Sequence, residues 1–167
     1  MSRMPVVFVG HGSPMNAIED NAYSRGWREM AKRIPKPKAI VSVSAHWYTR
    51  GTRIMDEENP EAIYDMYGFP KELYEVTYNA PGSPEIAKAV KELISREIQF
   101  DNSWGIDHGT WSVLVHMYLQ VQLQRQKHHL GLIVIRDHLA PQLMFLTHHL
   151  MSKLLGALMP PEAGMRM

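Results

Sequence analysis

Ala39-Ile40-Val41-Ser42-Val43-Ser44-Ala45, followed by His46-Trp47, decides how the rest of the chain is read. Its β-branched residues, in a short run with no charge, predict a buried strand. Upstream, Tyr23, Trp27, Met30 and Ile34 recur at intervals of four, three and four and predict one helix face. That helix should stop before Pro35-Lys36-Pro37, because a residue preceding proline is pushed out of the helical region. Further upstream, Pro5-Val6-Val7-Phe8-Val9 is a second apolar run ended by Gly10, and it predicts another buried strand. Downstream, Thr52–Met55, Ile98–Phe100 and Leu130–Ile135 predict short strands. Ser83-Pro84-Glu85 offers a cap, a first-turn proline and an acidic first turn to a helix that runs to about Glu97. Helices are also predicted from Thr110 through Tyr118 and over Gln142–Leu158. Alternating strands and helices imply an α/β fold: a central, mostly parallel sheet flanked by helices.

Composition narrows the functional classes. The 167 residues suit one domain with a real core. Eighteen Lys and Arg against 17 Asp and Glu leave a net charge of +1, so no strong field draws the chain to nucleic acid or to an anionic membrane. There is no cysteine, which excludes disulfides, thiolate metal sites and a cysteine nucleophile, and fits a cytoplasmic location. Val6–Val9 is too short for a signal sequence or a membrane span. No dinucleotide or phosphate-binding glycine loop occurs, and Ser13 lacks the setting of a hydrolase nucleophile.

The chemistry-bearing residues fall at the predicted strand ends. His11 lies just beyond the first apolar run, in His11-Gly12-Ser13-Pro14, and His46 directly follows the second strand. Ligands of open α/β sheets bind beyond the carboxyl ends of strands, so these two imidazoles could converge on one metal ion. Imidazole suits iron, zinc, copper or nickel, and two histidines with open positions are the beginning of a non-haem iron site. Either histidine could instead cap its strand or satisfy a loop carbonyl. Trp104-Gly105-Ile106-Asp107-His108-Gly109-Thr110-Trp111 places Asp107 and His108 in a glycine-bracketed loop before a helix. His108 suits acid–base work, with Asp107 orienting it, although Asp107 could equally be only the helix cap. His116 reads as a packed helical residue, whereas His128, His129 and His148 read as solvated and supply no metal cluster by spacing.

Five segments, in order, resemble the DODA-type (LigB-like, class III) extradiol ring-cleavage dioxygenase family, and most of all its bacterial 4,5-DOPA extradiol dioxygenase group. They are Gly10-His11-Gly12-Ser13-Pro14-Met15-Asn16, Val43-Ser44-Ala45-His46-Trp47, Gly68-Phe69-Pro70, Tyr78-Asn79-Ala80-Pro81-Gly82-Ser83-Pro84 and Trp104–Trp111. The resemblance implies a mononuclear Fe(II) or Zn(II) centre with His11 and His46 as metal ligands. It makes His108 the residue that handles protons, oriented by Asp107, and it implies a catechol such as DOPA and O2 as substrates.

The resemblance covers residues 1–118. All four Trp, all seven Tyr and all five Asn lie there, whereas five of the six Gln lie beyond. Residues 119–167 begin with the alternation Leu119-Gln120-Val121-Gln122-Leu123-Gln124 and read as a divergent tail, frameshifted or truncated. Such a tail would leave the sheet incomplete toward the C-terminal side and the metal short of the family's further histidines. A zinc-dependent hydrolase on the same scaffold and a non-catalytic fragment are the alternative readings.

Overall fold

The structure, a computed structural model, describes residues 4–44, 46, 49–123 and 131–136. In chain order it has a 3-10 turn at Pro14–Ala17, α1 at Ala22–Arg33, β1 at Ala39–Val43, β2 at Thr52–Ile54 and α2 at Lys71–Tyr74. These are followed by α3 at Pro84–Leu93, β3 at Ile98–Phe100, α4 at His108–Leu123 and β4 at Gly131–Arg136. The four strands form one open sheet in the order β1-β4-β2-β3. β1 pairs parallel with β4 from Ala39 opposite Gly131 to Val43 opposite Ile135, and β2 pairs parallel with β3. Only β2 and β4 run antiparallel, so the expected mostly parallel α/β sheet is present.

Local chemistry accounts for the element ends. Asn21 Oδ1 accepts hydrogen bonds from the backbone N–H groups of Tyr23 and Ser24, and Ser24 Oγ in turn accepts from the Asn21 N–H. This reciprocal cap satisfies donors that the first turn of α1 would otherwise leave open. At the other end, Ile34 turns to φ −91°, ψ 133°, as a residue before proline should. On the predicted face Trp27 is buried, but Tyr23 is 66% exposed and Ser24 takes the inward place beside it. α3 starts at Pro84 as expected but stops at Leu93, with Ile94 already extended at ψ 122°. The residues after Ile94 are needed to turn the chain into β3.

One expected strand is not formed. Val6–Val9 belongs to no ladder among the described residues, and Val6, Val7 and Phe8 are 50%, 42% and 86% exposed. β-propensity marks a segment that fits a pleated surface, but a strand also needs a neighbour with free backbone groups. β1 stands at the sheet edge with β4 on one side only, and Val6–Val9 is not paired to it among the described residues.

Two apolar clusters flank the sheet. Ile54, Ala87, Val90 and Ile98 pack α3 against β2 and β3. Leu73, Tyr78, Ile106, Trp111 and Leu114 form the larger cluster, which anchors the start of α4. α4 departs from helical geometry at Tyr118 (φ −138°, ψ 20°). Among the described residues no helix is long and apolar enough to cross a membrane. The predicted helix Gln142–Leu158 lies outside the described residues.

Candidate metal centre

Three separate local devices deliver three histidines to one place. His11 is held by the turn that follows it. Gly12 adopts φ +64°, a left-handed conformation open to glycine at little cost. Ser13 caps the 3-10 turn by accepting the Met15 N–H at 3.3 Å. The buried Asn16 amide then donates back to the His11 carbonyl at 2.9 Å, and its oxygen accepts from Asn21 at 2.7 Å. The N-terminus of α1 is thereby coupled to the His11 loop.

His46 leaves the end of β1, and its backbone N–H is taken by Ser44 Oγ at 3.1 Å. His108 opens α4. Asp107 is the residue before it and caps the helix, accepting the Thr110 N–H on Oδ1 at 3.1 Å.

The ring centroids lie 4.6 Å apart for His11 and His46, 5.2 Å for His11 and His108, and 4.2 Å for His46 and His108. One ligating atom from each ring lies within 4.8 Å of the other two. Three imidazoles converging in this way make a cluster that could hold a metal ion.

The electrostatics favour a neutral His11 ring. Burial pushes the His11 imidazole below its ordinary pKa, and the neighbouring His46 and His108 push it the same way, against Asp107 and Asp65. A neutral ring is the form that binds a metal. Asp107 is fully buried, and its Oδ1 lies 3.4 Å from His46 Nδ1. His46 Nδ1 and Asp107 Oδ2 are buried without a hydrogen-bond partner. Such orphaned polar atoms are costly unless the site holds something further. The donor set suits iron or zinc.

The sequence pointed to His11, His46, Asp107 and His108, and all four meet at this site. Asp107, expected to orient His108 or to cap the helix, caps the helix and sits beside His46. The carboxylate on His108 is Asp65. Its Oδ1 accepts from both the His108 backbone N–H (2.9 Å) and Nδ1 (2.8 Å), and its Oδ2 lies 3.7 Å from His46 Nδ1. Burial alone would raise the Asp65 carboxyl, but the His108 ring and backbone N–H outweigh it and hold the pKa below the ordinary carboxylate value.

Asp65 carries no local sequence signal. It lies in Tyr64-Asp65-Met66-Tyr67, one of 15 acidic residues before position 119. Only a search for a carboxylate partner to His108 would have raised the question, and spacing could not choose among them.

His116 is a packed helical residue, as expected. Its Nε2 donates to the Asn16 carbonyl at 2.7 Å and its Nδ1 accepts from Arg28 at 3.1 Å, since a carbonyl only accepts and a guanidinium only donates. It ties α4 to the turn that carries His11. His128, His129, His138, His148 and His149 lie outside the described residues.

Comparison with known proteins agrees with this geometry. Residues 2–135 match the family described as the catalytic LigB subunit of aromatic ring-opening dioxygenase, a span that runs past Tyr118 and through most of β4. The chain belongs to this family of ring-opening dioxygenases. It is similar to a 4,5-DOPA dioxygenase extradiol of Escherichia coli strain K12, with 50% identity over 119 residues, covering 70% of this chain and 44% of that protein. It is also similar to a 4,5-DOPA dioxygenase extradiol of Beta vulgaris, with 39% identity over 124 residues, covering 70% and 46%. The crystal structure of an uncharacterized protein from Escherichia coli K12 superposes with a TM-score of 0.53 at 35% identity, covering 72% of this chain and 42% of that one. The chain therefore spans less than half the length of these relatives.

Proposed function

We propose that this chain carries the metal-centre segment of an extradiol dioxygenase that opens the ring of a catechol such as DOPA with O2. The observation that carries this reading is the convergence of His11, His46 and His108 in a chain of the LigB family. His11 and His46 hold the metal as neutral imidazoles, Fe(II) for oxygen chemistry, with Zn(II) as the competing occupant. When bound, the metal supplies the charge that lowers a catechol hydroxyl's pKa and the redox capacity that O2 chemistry needs. His108 accepts the hydroxyl proton on Nε2, because its Nδ1 is committed to Asp65. Asp107 holds the start of α4 and so the position of His108, while its carboxylate lies 3.4 Å from the Nδ1 of His46. The absence of cysteine supports a reducing cytoplasm as the setting.

In this reading the tail departs from the family's own sequence beyond residue 135, where the match ends, and metal binding and turnover are weaker than in the full-length relatives. The test is oxygen uptake by the iron-loaded chain with L-DOPA, beside the Escherichia coli relative, with ring-opened product followed by absorbance. The chain should consume oxygen more slowly than the relative. Loss of metal in His11→Ala and His46→Ala, against retention of metal with loss of ring opening in His108→Ala, would support the division of roles. A metal-loaded chain that consumes no oxygen but hydrolyses ester substrates anaerobically would overturn the reading in favour of a hydrolase.

A further inference from the structure

We propose that Asp65 is a positioning residue that fixes the tautomer and orientation of His108. The proposal deepens the reading above, which gives His108 its role, but its decisive measurement needs neither metal nor substrate.

The geometry begins with the backbone. Gly105 lets two chain segments approach so closely that a Cβ there would lie 2.1 Å from the Glu61 carbonyl oxygen. The segments are stapled by Ile106 N–H to Glu61 O at 2.8 Å and Ile63 N–H to Ile106 O at 2.9 Å. The Trp111 indole adds a third staple, donating to Ile63 O at 2.9 Å from a fully buried ring. Asp65 follows two residues later. The bridge between residues 61–63 and 105–106 ends two residues before both Asp65 and His108 and so sets their relative position.

From there one carboxylate oxygen takes both the backbone N–H and the ring Nδ1 of His108. Two bonds to one acceptor restrain both side-chain torsions of the histidine. A carboxylate only accepts, so Nδ1 carries the proton and Nε2 keeps its lone pair. An unrestrained neutral histidine favours the opposite tautomer, with the proton on Nε2, which could neither ligate a metal nor take a proton there. The second carboxylate oxygen lies 3.7 Å from His46 Nδ1, so the same residue also faces the back of a second ring in the cluster. The Asp65 side chain is 17% exposed, although the residue as a whole is open to solvent.

The test is long-range 1H–15N NMR of the metal-free, histidine-labelled full chain, which distinguishes protonated from unprotonated ring nitrogens. His108 is assigned by its absence from the spectrum of His108→Ala. The wild-type chain should show His108 with Nδ1 protonated and Nε2 free. Asp65→Ala should shift it to a mixture or to the Nε2-protonated form. Asp65→Asn, nearly isosteric, keeps an acceptor but adds a competing donor, and should give an intermediate tautomer population.

A wild-type His108 found protonated on Nε2 would overturn the proposal even if neither variant folded. An unchanged tautomer in a folded Asp65→Ala chain would overturn it too. A correct tautomer with no oxygen uptake would leave Asp65 in its role and remove only the dioxygenase reading.

Discussion

Gly109→Ala should separate the stability of the fold from the integrity of the metal centre. Gly109 is the second residue of α4 and is not among the positive-φ glycines, so alanine fits its backbone. Helix propensity alone would favour alanine by up to ~1 kcal/mol. The space is the obstacle. A Cβ at 109 would lie 2.5 Å from His46 Cε1, 2.9 Å from His46 Nδ1 and 3.1 Å from Asp107 Oδ1. Restoring ordinary contact, about 3.4 Å, requires the His46 ring to retreat by about 0.9 Å. His46 can retreat, because its side chain is 23% exposed and its Nδ1 makes no hydrogen bond. A binding constellation tolerates displacement of only about 0.5 Å. We therefore expect the melting temperature to stay near the wild-type value while zinc affinity falls about 10–100-fold, or ~1.4–2.8 kcal/mol. Competition against a chromophoric chelator and a thermal melt on the same sample measure both. A variant that binds zinc like the wild type, with an unchanged melt, would refute the claim that Gly109 makes room for the His46 ring.

The other expectations concern the supports of the site. Gly105→Ala meets the Glu61 backbone at 2.1 Å, which cannot move aside like a side chain, and should destabilise the fold by about 2 kcal/mol or more in a urea melt. Asn16→Ala removes the donor to the His11 carbonyl and the acceptor for Asn21, and should cost ~1–3 kcal/mol by the same assay while weakening metal binding through His11. His11 has a folded pKa below its ordinary 6.5, so the unfolded chain binds the proton first. Its stabilising contribution is full above about pH 6.5 and declines as pH falls from there toward the folded pKa; a His11→Gln chain should show a flatter stability profile across that range. Asp65, also held below its ordinary 3.8, loses its contribution only as pH falls below about 4, so the two losses should appear as separate steps in acid denaturation of the wild-type chain.

What could be read from the sequence was local or periodic. The run Ala39–Val43 announced a strand through its β-branched residues, and Pro35 ended α1 through the steric rule for the residue before it. Ile98–Phe100 and the strand near residue 131 were legible for the same reason. His11, His46 and His108 drew notice because each stands at the end of a predicted element, where side chains of an α/β sheet can meet. Tertiary structure alone decided which segments pair. Val6–Val9 has the composition of a strand, but pairing depends on a neighbour from elsewhere in the chain, and composition does not say whether one is supplied. The partner of His108 was likewise undetermined by its neighbours in sequence. Asp107 is adjacent but turns to cap α4, because a residue directly before a helix has its oxygen aimed at the first-turn N–H groups. Asp65, 43 residues away, reaches the ring because Gly105 lets two backbones approach and a three-bond staple holds them there. A hydrogen bond between residues so far apart depends on the path of the chain in space, and no local propensity encodes that path.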